Sequence, residues 1–327
     1  MAVKTNISNN EFDKILLNYH LGKLVQTKPI TNGTVQTNFF LTTTSGKFVF
    51  RYYENRSKES VLFEIELLNH LIERKYLCPT PFSNKDGQFI GIYKDKPYVI
   101  FSFIDGYHIE YPDENLKKQL IRKVAELHNI TSGVKPEMTQ YRLNYNVEQC
   151  KKLVQEQVEK INTLNAREKH EWYINQIDRL ILPDSLPMGV CHGDFHFSNV
   201  LYYNGEFNCL IDFDDANYTF LVFDLVNLIE PFKDTFEWNT WDKFGVNENV
   251  FDFYKARKVV SEYSKYRHLN ECEKTHLFDI LKFSILIDCI WYFQRGDVND
   301  FFEKRKIDYL NNLGREKFYH ELICDFY

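Results

Sequence analysis

The sequence predicts an α+β protein with a β-rich N-terminal lobe and a larger, mainly helical C-terminal lobe. Up to about residue 104, apolar and β-branched residues recur in short runs separated by turn residues, which is typical of strands. After Asp105-Gly106 the apolar residues recur at helical spacing instead. We therefore predict two domains, residues 1–104 and 105–327, with a hinge near residue 105.

The composition excludes several classes of protein. With 44% apolar and 16% aromatic residues, the 327-residue chain is folded rather than disordered. The formal net charge of −6 disfavours a nucleic-acid partner, because such proteins carry basic surfaces. The seven cysteines form no CxxC pair, which indicates reduced thiols. The sequence shows no export signal and no long apolar segment, so we expect a cytoplasmic protein that does not associate with membranes.

The N-terminal lobe is expected to combine two helices with a sheet. Helices are predicted over 10–20 and over 57–75, where apolar residues have helical spacing and Ser57 and Ser60 are candidate caps. The predicted strands, of which the first three form an antiparallel meander, are 24–30, 37–44, 47–53, 88–93 and 97–103.

The C-terminal lobe is expected to be helical throughout most of its length. Its amphipathic stretches lie near 113–128, 146–163, 167–181, 222–230, 249–266, 274–294 and 299–323.

One segment of this lobe carries the residues expected to do chemistry. Within HGDFHFSNVL, the residues His192, Asp194 and Asn199 have the H-x-D-x-x-x-x-N spacing of a kinase catalytic loop. Asp212 then opens an Asp-Phe-Asp tripeptide where kinases have Asp-Phe-Gly. The spacing predicts phosphoryl transfer, in which Asp194 accepts the proton of an attacking hydroxyl.

A hairpin is predicted between the two parts of this motif. Asn204-Gly205 is a strong two-residue turn, so strands 200–203 and 206–209 should pair, with Val200 opposite Cys209. The open end of the hairpin should then hold Asn199 and Asp212. Two oxygen donors delivered by a rigid hairpin suit Mg²⁺, which shares its other positions with water and nucleotide phosphates.

The same segment permits an alternative interpretation. His192, Asp194 and His196 alternate along an extended strand and could bind a transition metal for hydrolysis. This interpretation leaves Asn199 and Asp212 without a role, and it does not explain the N-terminal lobe.

The third predicted strand carries a cation beside a small apolar residue. Alternation places Val49 and Arg51 on one face and Phe48 and Phe50 on the other. Kinases use such a strand to contact adenine and to hold phosphates, although usually with Lys in place of Arg51. In the next helix Glu64 falls on the apolar face, so we predict that it pairs with Arg51.

Two further segments are candidates for nucleotide contacts. The turn that contains Gly33 and Thr34 lies between the first two strands, where a phosphate-covering loop would sit, and an ordinary hairpin turn explains it equally well. The run that ends at the lobe boundary places backbone groups of Ser102 to Ile104 where they could hydrogen-bond an adenine edge.

These motifs together resemble those of the aminoglycoside phosphotransferase and choline kinase superfamily, small-molecule kinases with a protein-kinase-like two-lobed fold. The resemblance rests on HGDFHFSNVL, on IDFDDA, on Asp224 in FDLVNL and on the order of the lobes, and it covers roughly residues 20–300. GTVQTNFFLTTTSGKFVFRYYENR and YVIFSFIDG are most similar to the homoserine-kinase-like branch.

The resemblance implies a role for each lobe and for single residues. It implies ATP and Mg²⁺ as cofactors, a nucleotide-binding N-terminal lobe, and a C-terminal lobe for catalysis and substrate. Asp194 would be the base, Asn199 and Asp212 the metal ligands, and His192 a residue that stabilises the loop.

The acceptor is expected to be a small molecule with a hydroxyl group. Only about a dozen residues separate Asp212 from Asp224, too few for the activation segment of a protein kinase. His196, Asp214 and Asp215 are possible substrate contacts, and acidic and aromatic residues of the helical lobe would suit an amine-bearing acceptor such as an aminoglycoside, choline, ethanolamine or homoserine. The alternative is a non-catalytic nucleotide-binding or coat-type protein on the same scaffold. We expect a monomer or a homodimer.

Overall fold

The computed structural model describes residues 5–31, 35–195, 197–229, 251–301 and 303–323. These residues form two compact units. The first holds the described residues of Met1–Leu116, Pro136–Arg142 and His196–Ala216, and the second holds those of Lys117–Lys135, Leu143–Phe195 and Asn217–Tyr327. The domain boundary expected after residue 104 stays a prediction.

The elements follow the predicted order of a strand-rich N-terminal part and a mainly helical C-terminal part. The helices are α1 (Asn9–Leu16), α2 (Lys58–Glu73), α3 (Glu114–Thr131), α4 (Val147–Ile161), α5 (Leu164–Ile177), α6 (Phe223–Leu228), α7 (Phe253–Ser264), α8 (Glu271–Trp291), α9 (Lys304–Leu313) and α10 (Arg315–Ile323). The strands are β1 (Leu24–Ile30), β2 (Thr37–Thr43), β3 (Gly46–Tyr52), β4 (Pro81–Phe82), β5 (Gly91–Tyr93), β6 (Lys96–Ser102), β7 (Met188–Cys191), β8 (Val200–Tyr203), β9 (Glu206–Leu210), β10 (Asn217–Phe220), β11 (Gly296–Asp297) and β12 (Asp300–Phe301).

The first unit is built on an antiparallel sheet. Its strands are ordered β1-β2-β3-β6-β4, and β5 pairs with β6. Burial alternates along β2 and β3, because one face of the sheet packs on α1 and the other is only partly buried. Phe12 of α1 fills the packed face, with its ring 5.0 Å from that of Phe39 and 5.1 Å from that of Phe50.

Side-chain caps fix the starts of the two helices in this unit. Ser8 and Glu11 form a reciprocal capping box at α1. At α2 the Ser57 hydroxyl accepts a hydrogen bond from the Ser60 N–H at 3.2 Å, which confirms the predicted cap. Each cap satisfies a backbone group that the first helical turn leaves unpaired.

The predicted hairpin forms, but its register differs from the prediction. Tyr203 pairs with Glu206 around the turn, whereas Val200 pairs with Leu210, so the expected pairing with Cys209 is wrong. The register shifts next to Leu201, because β9 contains one extra residue. The bulge moves every pairing beyond it by one position.

The second unit is mainly helical and has one short β-ladder. Strand β7 pairs with β10, and Gly189 of β7 lies so close to Thr131 that a Cβ atom there would be 2.5 Å from its carbonyl oxygen. The buried helix α8 packs against α6 and α9. The single helix predicted over 299–323 is wrong, because Gly314 adopts a left-handed φ of 77° and separates α9 from α10.

Among the described helices, none combines the length and the apolar character that crossing a membrane requires.

Candidate functional site

A single guanidinium connects two carboxylates in the first unit. Arg51 Nη1 lies 2.9 Å from Asp212 Oδ1 and 3.5 Å from Glu64 Oε1. Glu64 is buried on α2 and also accepts a hydrogen bond from the Tyr53 hydroxyl at 2.8 Å. The predicted pairing of Arg51 with Glu64 is confirmed, and the structure adds Asp212 to it.

Burial dominates the electrostatics of this group. Removal from water raises the pKa of Glu64 to about 7, although the Arg51 guanidinium favours the charged form. Burial and the neighbouring Glu64 together raise the pKa of Tyr53 well above its ordinary value. The carboxylates raise the pKa of Arg51 against the effect of its own burial, so it stays a cation.

The β8–β9 hairpin places Asn199 and Asp212 on neighbouring chain segments. The Ile211 N–H donates to the Asn199 carbonyl oxygen at 2.9 Å, one step beyond the last pair of the ladder. Asp212 has a left-handed φ of 66°, and 41% of its side chain is exposed. The amide and carboxylate oxygens of this pair are the hard donors that Mg²⁺ prefers, so the chemistry of the donor set fits the predicted ion.

Arg142 holds the turn that follows Asp212. Its guanidinium donates to the carbonyl oxygens of Phe213 at 3.3 Å and of Ala216 at 3.0 Å, and also to that of Asp214. The guanidinium lies 4.9 Å from the centre of the Phe63 ring. The left-handed backbone conformation of Asp212 is strained for a residue other than glycine, and these bonds fix the backbone directly after it. No sequence pattern pointed to Arg142.

Arg56 binds the side chains of Asp214 and Asp215 in the same turn. Arg56 Nε lies 2.9 Å from Asp214 Oδ1, and Arg56 Nη2 lies 2.8 Å from Asp215 Oδ1. Gln36 donates to Asp214 Oδ2 at 2.8 Å. Burial would raise the pKa of Asp214, but Arg56 holds it below its usual value. Asp214 is therefore committed to contacts inside this unit, whereas half of the Asp215 side chain is exposed.

A cavity of about 330 Å³ lies against the three-stranded part of the sheet. Phe40 lines it and pairs with Val49 across the ladder, so the cavity faces the same side of the sheet as Arg51. The Phe40 and Phe103 rings meet edge to face at 5.6 Å. The residues that line the cavity are Gln26, Lys28, Phe40, Leu41, Thr42, Lys47 and Phe103. No motif in the sequence pointed to these residues, although the alternation of β2 could have identified Phe40.

The segment after β6 is partly committed to backbone pairing. The Ser102 N–H donates to the Thr80 carbonyl oxygen at 2.8 Å, and the Ser102 hydroxyl accepts from the Thr80 N–H at 3.0 Å. In the predicted adenine-contact segment, the Ser102 N–H is therefore already hydrogen-bonded to Thr80. Phe103 and Ile104 are the residues that follow it. The predicted contacts Gly33, Thr34 and His196 lie outside the described residues.

In the second unit, Asp224 fixes the backbone of the predicted catalytic loop. Its two carboxylate oxygens accept hydrogen bonds from the His192 N–H at 2.8 Å and from the Gly193 N–H at 2.9 Å. His192 is buried, and its Nδ1 accepts from the Asp194 N–H at 3.3 Å. Asp194 itself is exposed. His192 thus contacts the loop backbone, and its supporting role stays a prediction.

A buried group of possible metal ligands lies behind this loop. One ligand atom each of His128, Cys191 and Asp224 lies within 4.8 Å of the others. Both ring nitrogens of His128 are already hydrogen-bonded, Nδ1 to the Tyr263 hydroxyl at 2.6 Å and Nε2 to Asp224 at 3.1 Å. Burial also raises the pKa of Cys191 well above its usual value, which disfavours the thiolate that a metal needs. The group is a hydrogen-bonded core.

Comparison with known proteins identifies the family. The model of the phosphotransferase enzyme family matches residues 26–269, about three quarters of the chain. A homoserine kinase of Rhodospirillum rubrum is 29% identical over 276 residues, which cover 84% of this chain and 81% of that protein. A homoserine kinase of Sinorhizobium medicae is 27% identical over 319 residues, which cover 95% and 87%.

Solved structures show the same fold. An amicoumacin kinase in complex with AMP-PNP and Ca²⁺ has a TM-score of 0.61 at 15% identity, with 94% of this chain and 92% of that chain covered. A spectinomycin phosphotransferase in complex with ADP and its antibiotic has a TM-score of 0.61 at 14% identity, with 94% of each chain covered. A microcompartment-associated aminopropanol kinase has a TM-score of 0.57 at 15% identity, with 93% and 94% covered. These similarities confirm the predicted fold class.

Proposed function

Because this chain belongs to the phosphotransferase enzyme family and is a small-molecule kinase, we propose that it transfers the γ-phosphoryl group of ATP to the hydroxyl of a small amino alcohol, with homoserine as the acceptor. Arg51 and Glu64 would serve the nucleotide, and Asn199 and Asp212 would bind the metal ion. Asp194 would be the general base.

The observation that carries this proposal is the contact of Arg51 with both Glu64 and Asp212. A strand cation that pairs with a helix carboxylate is the arrangement that kinases use to hold nucleotide phosphates. Here the same guanidinium also reaches the aspartate that opens the Asp-Phe-Asp tripeptide, at 2.9 Å. Arg51 can therefore bind phosphate oxygens with one edge of its planar fork while Glu64 fixes its position.

The cavity on the same face of the sheet as Arg51 supports a nucleoside triphosphate as the donor. Phe40 and Phe103 offer apolar ring surfaces, which suit a planar base. The backbone of Phe103 and Ile104 follows β6 and would hydrogen-bond the adenine edge. Mg²⁺, held by the side-chain oxygens of Asn199 and Asp212, would neutralise negative charge on the phosphate oxygens.

In the proposed reaction, the proton of the acceptor hydroxyl passes to the Asp194 carboxylate as the hydroxyl oxygen forms a bond to the γ-phosphorus. The bond between the γ-phosphorus and the β,γ-bridging oxygen breaks, and ADP leaves. Asp194 is exposed, so a substrate hydroxyl can approach it. Asp224 would keep the loop that carries Asp194 in one conformation through its bonds to His192 and Gly193.

Support for homoserine comes from the curated relatives, which match 82% to 95% of this chain and carry that name. The structural relatives include an amicoumacin kinase, a spectinomycin phosphotransferase and an aminopropanol kinase. Homoserine and aminopropanol are both small amino alcohols, and homoserine is the acceptor that the curated relatives name.

A substrate panel tests the proposal. ADP release would be followed with Mg·ATP and homoserine, aminopropanol, ethanolamine, choline or spectinomycin, and ³¹P NMR would identify the product. We expect phosphohomoserine, and no product from an Asp194→Asn variant. Turnover of spectinomycin but not of homoserine would refute the acceptor and keep the kinase. Release of ADP by the variant at the wild-type rate would refute the role of Asp194.

A further inference from the structure

A line of hydrogen bonds crosses the buried interior of the second unit and ends on the predicted catalytic loop. It starts at Glu273, whose Oε1 accepts from Arg267 Nη2 at 2.6 Å. Arg267 Nη1 then donates to the Tyr263 hydroxyl oxygen at 3.3 Å, and that hydroxyl lies 2.6 Å from His128 Nδ1. All four residues are buried.

The line continues from His128 to the backbone of the loop. His128 Nε2 lies 3.1 Å from Asp224 Oδ2, and both side chains are fully buried. Asp224 accepts the N–H groups of His192 and Gly193. Asp194 follows Gly193 directly, so the last link of the line is next to the proposed general base.

The chemistry of the groups sets the direction of the bonds at the two ends of this stretch. A guanidinium has donors and no acceptor, so the Tyr263 oxygen accepts from Arg267. The Asp224 carboxylate accepts, so His128 Nε2 donates to it. The Tyr263 hydroxyl can then donate its own proton to His128 Nδ1, and in this direction the buried phenolic proton has a partner.

The start of the line is itself fixed. Glu273 Oε2 accepts from the Asn270 N–H at 3.0 Å, and the Asn270 side chain accepts from the Glu273 N–H at 2.8 Å, which is a capping box at the start of α8. The same carboxylate therefore caps a helix and holds Arg267. Its position is set by the helix rather than by a flexible side chain.

We propose that Tyr263 is a positioning residue for phosphoryl transfer, because it fixes the Nε2–H tautomer of His128 and thereby the orientation of Asp224 and of the loop that carries Asp194. The proposal rests on the proposed function, in which Asp194 is the general base. Tyr263 touches neither substrate nor nucleotide in this scheme. Its loss should therefore lower kcat and leave the KM values for ATP and acceptor nearly unchanged.

The test is Tyr263→Phe, which removes one hydroxyl and keeps the ring. We expect kcat to fall about tenfold, the effect of losing one buried hydrogen bond. KM values should stay within about twofold. In the same samples, ¹⁵N NMR of labelled histidine should show His128 changing from the pure Nε2–H tautomer to a mixture. Tyr254→Phe is the matched control, because Tyr254 lies on the same helix and is 62% exposed.

Other results would overturn the proposal. An unchanged kcat in Tyr263→Phe, or a kcat loss without any change in the His128 tautomer, contradicts it. If Tyr263→Phe does not fold, Arg267→Lys and Arg267→Gln replace it: Lys keeps a donor-only group and should preserve the tautomer, whereas Gln can accept and should not. Asp194→Asn is measured in parallel, since its full activity would reject the proposed function and not the line of bonds.

Discussion

Arg51 Nη1 and Asp212 Oδ1 lie 2.9 Å apart, on β3 and just after β9. The chain between them is long, but the contact places the strand cation directly on the carboxylate proposed to hold the metal. Because Glu64 Oε1 lies 3.5 Å from the same Nη1, the position of Arg51 depends on two carboxyl groups at once. A substitution at any of the three residues should therefore alter nucleotide binding.

The contribution of Arg51 to catalysis should depend more on its positive charge than on the planar shape of its guanidinium. Arg51→Met removes the cation, and we expect kcat/KM for ATP to fall by about a hundredfold, as for loss of a donor to a developing charge. Arg51→Lys keeps one charge without the planar fork and should stay within about tenfold of the wild type. Steady-state ADP release measures both, and Arg74→Met, at an exposed arginine, is the control. Equal loss in the Lys and Met variants would contradict a charge-based role.

Asp212→Asn should remove metal-dependent nucleotide binding. The neutral amide binds Mg²⁺ more weakly than the carboxylate, so ATP with Mg²⁺ should no longer raise the melting temperature as it does for the wild type. Thermal-shift titrations with and without EDTA measure this difference. Asp86→Asn, at an exposed aspartate of the 84–88 turn, is the control. A metal-dependent shift of wild-type size in Asp212→Asn would argue against Asp212 as a ligand.

Asp194→Asn should separate catalysis from binding. Loss of a general base typically costs between about a hundredfold and ten-thousandfold in rate, so kcat should fall within that range. ATP binding, measured by calorimetry, should be almost unaffected. Asp184→Asn provides an exposed aspartate elsewhere in the same unit as a control. A parallel loss of ATP affinity in Asp194→Asn would point to a binding role instead.

Arg142→Met should affect stability and the metal site together. Without the guanidinium, the carbonyl oxygens of Phe213 and Ala216 lose a buried donor, and we expect the free energy of unfolding to fall by about 3 kcal/mol. Released from these bonds, Asp212 should also need more Mg²⁺ for half-maximal activity. Urea denaturation and a Mg²⁺ titration measure the two effects, with the exposed Arg179→Met as control. An unchanged Mg²⁺ requirement would limit Arg142 to stability.

The stability of the nucleotide-free protein should depend on Glu64 and pH. The pKa of Glu64 rises to about 7 in the folded state from 4.5 in the unfolded state. Its contribution is fully present below about pH 4.5 and is lost as the pH rises through about 7, because the unfolded state then binds fewer protons. Glu64→Gln has no carboxyl group at this position that could titrate in this pH range. Its melting temperature relative to the wild type should rise between about pH 5 and 8.

The control for this pH series is Glu73→Gln on the same helix, where 75% of the side chain is exposed. Its difference from the wild type should be constant with pH. Parallel curves for Glu64→Gln and the wild type would show that the Glu64 carboxyl titrates alike in both states.

The sequence predicted most elements of the first unit because their signals are local. Alternating apolar residues and a two-residue turn specify β2, β3 and the β8–β9 hairpin without help from the rest of the chain. The pairing of Arg51 with Glu64 followed from one face of a strand and one face of a helix. Such contacts depend only on periodicity, which the sequence shows directly.

What the sequence could not show depends on tertiary contacts. The extra residue in β9 leaves alternation intact on either side, so nothing local marks the shift that pairs Val200 with Leu210. Arg142 and His128 are single polar residues in otherwise ordinary segments, and only the fold brings them to backbone carbonyls and to Asp224. Gly314 was visible in the sequence, but its left-handed backbone was not.

The first unit takes pieces from widely separated parts of the chain, and this affects how the protein can be made. Gln36 and Asp214 are hydrogen-bonded across 178 positions, and Arg142 bonds to Ser60 as well as to the turn at 213–216. A ribosome must therefore synthesise about two thirds of the polypeptide before the sheet can acquire its last partners. A fragment that ends at residue 104 would lack these partners, so recombinant work on the nucleotide-binding part needs the chain at least to Ala216.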